Sequence, residues 1–363
     1  MPAQHPPDPR RHANPARLRQ PGRRRRALGW LGRRGWLLGL LAVVLAGVAV
    51  LAVSGLGRPH ATGLTLTEPG GPTPEPVASA SPSPSASPSP SPSPSRSAGS
   101  TPRAGGPVDP HKPNCAPKPS GCGFPDASNT GVPAGTKLTV VNGNMTVSQA
   151  GAVIDGKDIR GCVDIRAANV TIRRSKITCT SFYGVSSFTE RYKGGGLVIE
   201  DVEIDCRSTN GNGVGSYGVT GRRLNIHNCE NGFDVDSSVT VADSYIHDLF
   251  EGSSGHSDGI QLAVGTHVTI SHNTIFNPGG TSAIISNGSA VSDVTVTGNL
   301  LAGGAYSLYC PKGAVGSYRV ISNRFSTLFS AKSGAYGPWT DCGNAGQVSG
   351  NVWDNTLQPV GGD

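Results

Sequence analysis

Residues 268–275 (VTISHNTI) alternate apolar and polar positions, and an Asn stands two places before the final apolar residue. That two-residue period predicts a β-strand with one face buried. The pattern recurs at 170–177 (VTIRRSKI), 197–204 (LVIEDVEI), 219–226 (VTGRRLNI), 239–246 (VTVADSYI), 294–301 (VTVTGNLL), 318–325 (YRVISNRF) and 346–353 (GQVSGNVW). Successive starts lie 27, 22, 20, 29, 26, 24 and 28 residues apart. A period of about 25 residues, with two or three short strands and turns per unit, predicts an all-β solenoid, a right-handed parallel β-helix of about eight to nine coils. Equivalent positions then form ladders along the stack, about 4.8 Å from rung to rung.

Two ladders follow from the alignment. Asn273, Asn299, Asn323 and Asn351 share one place in four copies, which predicts stacked side-chain amides satisfying backbone groups at a tight turn. Before each copy a small residue precedes an apolar one: Gly184-Val185, Gly213-Val214, Gly232-Phe233, Gly259-Ile260 and Ala283-Ile284. The apolar members are expected inside. The next residues, Ser186, Gly215, Asp234, Gln261 and Ile285, are expected on one external face, where a ligand would bind.

All eight cysteines follow residue 114, and no CxxC pair occurs. An even count in this part of the chain predicts four disulfides and an oxidising compartment rather than a zinc site. Cys206 and Cys229 fall at nearly the same place on adjacent coils, and the simplest complete pairing is sequential: Cys115 with Cys122, Cys162 with Cys179, Cys206 with Cys229, Cys310 with Cys342.

The formal charge of +7 suggests an acidic partner until its distribution is examined. Residues 1–34 hold ten arginines and one acid, leaving the rest of the chain at −2. Nucleic acid is therefore not an expected partner. The arginines precede an uncharged apolar run at 35–57, long enough for a membrane-spanning helix with the N-terminus in the cytoplasm. The run reads as an uncleaved anchor, with Ala52-Val53-Ser54 as the competing signal-peptidase site. Residues 58–112, rich in Pro, Ser and Gly, read as a disordered spacer. The organisation expected is a basic tail (1–34), an anchor or signal peptide (35–57), a linker (58–112) and a monomeric extracellular β-helix domain (113–363).

Residues 123–138 (GFPDASNTGVPAGTKL), 169–179 (NVTIRRSKITC), the HSDGIQ turn at 256–261 and 351–360 (NVWDNTLQPV) together resemble secreted right-handed parallel β-helix proteins of actinobacteria, within the pectin-lyase-like superfamily. That resemblance covers about residues 123–360 and implies a polysaccharide or cell-wall glycan as partner, since lyases, glycoside hydrolases and epimerases dominate the superfamily. Ser257-Asp258-Gly259-Ile260 resembles the Asn-Thr-Asp-Gly-Ile segment of polygalacturonases, which implies a catalytic role for Asp258. The paired aspartates those hydrolases carry on the next coil are replaced here by Thr281-Ser282-Ala283, and no Gly-His-Gly follows, so ordinary polygalacturonase activity is not expected.

Stacking Gly232 on Gly259 puts Asn231 beside Asp258 and Glu230 beside Ser257, so Glu230 is the expected second carboxylate. Asp234 lies three residues along and one rung over, about 11 Å away by strand geometry. His247 and His256 bracket a Gly/Ser loop, and either can carry protons near neutral pH. Gln261 and Asp234 are expected to contact substrate. For a lyase, His256 would be the base, Asp234, Asp236 and Asp258 would hold Ca²⁺, and Arg222, Arg223 or Lys312 would meet the substrate carboxylate. The competing readings are structural: Asp258 caps a turn through its own backbone, His227, His267 and His272 lie on the surface or in a ladder, Arg173, Arg174 and Lys176 form a solvated face, and Trp339 and Trp353 cover the solenoid's end. The expected function is a polysaccharide lyase or hydrolase, or an epimerase-like isomerase, against a non-catalytic carbohydrate-binding or adhesive module.

Overall fold

The structure, a computed structural model, describes residues 106–187, 195–252, 255–313 and 317–361. The basic tail, the apolar run at 35–57 and the linker up to residue 105 lie outside the described residues. Among the described residues no helix is long and apolar enough to cross a membrane.

The architecture is all-β, with 24 strands among the described residues in parallel register, consistent with a β-helix solenoid. The strands form three stacks. The first runs from Val153–Asp155 through Thr171–Arg173, Leu197–Glu200, Val219–Arg222 and Val239–Ala242, then through residues 268–271 and 294–297 to Tyr318–Ile321 and Gln347–Ser349. The second runs from Thr139–Asn142 to Val352–Trp353 and contains the second half of each aligned repeat. The third runs from Met145–Val147 to Gly337–Thr340 and contains the small-then-apolar pairs.

All eight aligned copies fall in register, and a ninth at 152–159 (AVIDGKDI) precedes them. The alternation buries Ile172, Ile199, Val241, Ile270, Val296 and Val320 in the first stack and Ile177, Ile204, Ile226, Ile246, Ile275 and Leu301 in the second. This continuous apolar interior, shared from coil to coil, supplies the hydrophobic term that holds the stack together.

Between the first and second stacks the chain turns through a residue with positive φ. Arg174, Asp201, Arg223, Asp243, His272 and Ser322 occupy this position with φ between 46° and 57°, and Gly298 and Gly350 occupy it elsewhere. The next position is the amide ladder. Asn299 Oδ1 accepts from the backbone N–H of Asn273 (2.9 Å) and from its Nδ2 (3.0 Å), while Asn299 Nδ2 donates to the Ile270 carbonyl (2.9 Å). Asn323 and Asn351 repeat this, and Ser244 extends the ladder downward by donating its N–H to Asn273 Oδ1. The four asparagines are buried structural groups, as their spacing predicts.

The four disulfides are the sequential ones. Three of them, Cys162–Cys179, Cys206–Cys229 and Cys310–Cys342, bridge coils at Cα separations of 4.7 to 5.0 Å, about one rung. The fourth lies in a segment with no repeat character, which covers the outer face of the second stack. Cys115, Ala116, Cys122 and Phe124 pack on Phe276, Leu300 and Ala302. Arg324 fixes this segment through the carbonyls of Lys112 (2.6 Å) and Asp109 (2.7 Å) and lies 5.4 Å from the Phe124 ring centroid. At the far end Trp339 and Trp353 pack against the core, as expected of a cover.

Candidate functional site

The third stack positions the expected site. Val185, Val214, Phe233, Ile260 and Ile284 form one column in register and are fully buried. The neighbouring column is Ser186, Gly215, Asp234, Gln261 and Ile285, continued by Tyr309 and Thr340. Asp234 and Gln261 are half-buried there, whereas Gly215 and Ile285 are buried, so this face is less open than the alternation implies.

The glycines before the apolar column are required by packing. A Cβ on Gly259 would lie 2.2 Å from Ile275 Cγ2 and 2.4 Å from the Ala283 carbonyl oxygen. Gly232, Gly213 and Gly184 meet the Cγ2 atoms of Ile246, Ile226 and Ile204 at 2.6, 2.7 and 2.9 Å in the same way. The coil that carries Ala283 has Leu301 in the place of Ile275. Leucine has no Cγ2 branch, which leaves room for the Cβ of Ala283; Ser307 stands at the equivalent position one coil on.

One position further back lies a buried polar column, Asn212, Asn231, Asp258 and Ser282, in mutual register. Asn231 Nδ2 donates to Asn212 Oδ1 (2.8 Å) and to Gln261 Oε1 (3.1 Å), and the Asp258 N–H donates to Asn231 Oδ1 (2.8 Å). Ser282 Oγ donates a short hydrogen bond to Asp258 Oδ1. Behind the turn, Asn277 Nδ2 donates to the Ser257 carbonyl (2.8 Å), which also accepts the Thr281 N–H (2.8 Å). Stack register and Asn277 together hold the His256-Ser257-Asp258 turn in place.

The Asp258 side chain has no solvent exposure, and that of His256 is 40% exposed. Asp258 Oδ2 lies 3.3 Å from His256 Nδ1 and has no aligned hydrogen-bond donor among the described residues. Burial pushes the Asp258 carboxyl up to about 6; the Ser282 hydrogen bond and the nearby His256 pull it down, and the charge of Glu230 pushes it up. Glu230 is therefore close enough to be felt at Asp258, as the stacking predicts. Asp258, expected to meet substrate itself, instead lies behind His256. The group presented to solvent is the imidazole.

Asp234 belongs to a neighbouring cluster. The Tyr183 hydroxyl donates to its Oδ2 at 2.9 Å across two coils, and burial followed by the charge of Asp236 pushes its carboxyl up against the Tyr183 bond. Asp236 accepts from Ser237. Among the described residues no group of three or more His, Cys, Asp or Glu side chains is arranged to hold a metal ion. The expected Ca²⁺ set of Asp234, Asp236 and Asp258 is thus not assembled: Asp234 is three residues along and one rung over from Asp258, and Asp258 faces His256.

Other expected partners lie elsewhere. His247 is on the second stack, with Nε2 2.8 Å from Asn225 Oδ1, Nδ1 2.8 Å from Asp248 Oδ2, and its ring stacked on Tyr245 at 4.0 Å. Burial depresses its pKa. His247 ends a second-stack strand and His256 lies two residues before the third-stack strand that begins at Asp258, so the two histidines that bracket the loop belong to different stacks. Arg222 is exposed on the first stack, in register with Glu200 and Ala242, and Arg223 is engaged by Asp201 at 2.6 and 2.9 Å. Lys312 is exposed in the turn after Cys310, beyond the third-stack strand Tyr306–Tyr309.

The sequence reading missed the tyrosines on this side. Burial first, then the charge of Asp258, raises the Tyr309 phenol. Tyr306 lies 5.4 Å from Tyr309 and 5.8 Å from Tyr336 between ring centroids, and Tyr336 is 70% exposed. On the other side of Asp258, Phe182, 60% exposed, lies edge-on to Tyr183 at 4.6 Å. The signal was Leu308-Tyr309, which continues the apolar-then-outward pair after Ile284-Ile285, but its preceding residue is Ser307 rather than a glycine. No protein-family model, no curated protein and no solved structure matches this chain, so the reading of its function rests on the site.

Proposed function

We propose that the protein is an extracellular right-handed parallel β-helix of eight to nine coils that cleaves a polysaccharide, with His256 as the group that transfers a proton to or from substrate. Asp258 is the positioning residue behind it, and Glu230 is the second carboxylate. The observation that carries this reading is the pairing of a fully buried carboxylate with a solvent-facing imidazole, Oδ2 to Nδ1 3.3 Å, at the start of a third-stack strand. A carboxylate buried without an aligned donor is costly, and such groups concentrate where a fold has a use for them. Asn231 and Ser282, which consume the backbone N–H and Oδ1 of Asp258, leave Oδ2 directed at the histidine.

The resemblance to pectin-lyase-like proteins supports a glycan as substrate, and the four disulfides support an oxidising, extracellular setting. In the same proposal, residues 35–57 anchor the chain and the Pro/Ser-rich linker extends the domain from the membrane.

The test is a panel of plant, algal and bacterial polysaccharides incubated with the full-length chain, following reducing ends and the ultraviolet absorbance of unsaturated products. Wild type is expected to release products, and His256→Gln to lose about a hundredfold or more of that rate, the usual contribution of a general acid or base. Binding without release by wild type would replace the enzyme with a carbohydrate-binding module. Full activity in His256→Gln would remove His256 from the chemistry.

A further inference from the structure

Charge is distributed unevenly among the three stacks. Strands of the first two carry lysines and arginines, among them Arg173, Lys176 and Arg319, each paired with a carboxylate within 3.1 Å. Among the described residues, third-stack strands contribute no Lys or Arg but do contribute Asp164, Asp234 and Asp258, with Glu230 and Asp236 directly flanking. Of the cations next to this stack, Arg166 is taken by Asp164 at 2.6 Å and Arg207 lies 3.7 Å from Asp205, while Lys312 is exposed beyond Cys310.

This acidic face is more than a surface cluster. It contains Asp258, fully buried, whose Oδ2 has no hydrogen-bond donor among the described residues and is directed at the exposed His256. Aromatic rings flank it along the stack: Tyr306 follows Ser282 and stands two rungs from Asp258, and Tyr183 lies beyond Asn212, three rungs the other way. With Phe182 and Tyr336 outside them, the rings span about five to six rungs, roughly 25 Å.

Building on the proposed glycan cleavage, we infer that the substrate is a glycan without carboxylate groups, neutral or amino-bearing, that lies along the stack between these aromatic pairs. A polyuronate would bring one negative charge per sugar against Glu230, Asp234 and Asp258, where the described third-stack strands offer no Lys or Arg to pair with it, and juxtaposed like charges oppose binding. The apolar faces of neutral or amino sugars pack on tyrosine rings. A substrate of this class also selects the reaction. Elimination needs a C–H acidified by an adjacent carboxylate, whereas hydrolysis needs only water. The glycosidic C1–O bond breaks, the water oxygen bonds to C1, and one water proton passes, through the acid–base pair of His256 and Glu230, to the leaving oxygen.

The experiment offers the full-length chain cello- and xylo-oligosaccharides, chitosan oligomers and polygalacturonate at low and high salt. Reducing ends from the carboxylate-free substrates, without unsaturated products, are expected, and Tyr306→Ala should raise KM about two- to tenfold. Turnover confined to polygalacturonate, or any unsaturated product, would overturn this inference and leave glycan cleavage standing. If no glycan is bound or cleaved, both readings fall. A Tyr306→Ala enzyme with unchanged KM would contradict the placement of the chain on the rings.

Discussion

Asp258 is held with its carboxyl at about 6, against 3.8 for the free side chain, chiefly by burial. The folded state therefore binds this proton more tightly than the unfolded chain does. Stability linked to it is fully present below about pH 4, is lost as the pH rises to about 6, and does not return above that. Asp258→Asn should accordingly gain stability relative to wild type across that window, with the gap level below pH 4 and above pH 7. Denaturant midpoints at pH 4, 5, 6 and 7 measure it; a gap independent of pH would mean that the carboxylate is not held at the cost of burial. At the adjoining residue, Gly259→Ala drives a Cβ to 2.2 Å from Ile275 Cγ2 and is expected to cost about 1–3 kcal/mol. Ile275→Leu in the same chain should recover part of the loss, because Leu301 already accommodates Ala283 one coil on. Additive effects in that double-mutant cycle would contradict the packing explanation.

Among the elements, the asparagine ladder stabilises the turns between the first and second stacks. Asn299→Ala leaves the buried N–H of Asn273 and the carbonyl of Ile270 without the partners they have at 2.9 Å, so thermal or denaturant unfolding should register a loss of about 1–3 kcal/mol for each group left unpaired. A change within about 0.5 kcal/mol would place the asparagines among neutral surface positions. This ladder, the first two stacks and the interior column of the third were legible in the sequence because period-2 alternation and exact stacking turn spacing into contact. The copy at 152–159 was not, since it starts on Ala152 and has Lys157 where later copies carry Asn. The covering segment at 106–131 was invisible for a different reason: it has no period, and its partners Arg324 and Asp354 lie more than 200 residues away in the chain. In the site, register predicted Asn231 beside Asp258. Spacing says nothing about depth, however, so the burial of Asp258 and the separation of His247 needed the fold.

Across the whole molecule, three disulfides tie successive coils and the fourth stiffens the segment laid over the second stack. Non-reducing peptide mapping should recover the four sequential pairs, and reduction should lower stability by about 2–4 kcal/mol for a typical bridge. A Cys179–Cys206 peptide would contradict the register of those coils. Phe124, buried between His272 and Arg324, fixes the covering segment; Phe124→Ala should cost about 3–5 kcal/mol and open Phe276 and Leu300 to solvent, read by dye binding and protease sensitivity. In the proposed mechanism a solvent-facing histidine is oriented by a carboxylate that the substrate does not touch. The most direct test of the proposed cleavage is kcat and KM of Asp258→Asn beside wild type on a glycan from which the wild type is found to release products, across pH 4 to 8. The account predicts a fall in kcat of about tenfold or more, with KM within about twofold and an altered pH profile; unchanged kcat, or a rise in KM alone, would contradict it.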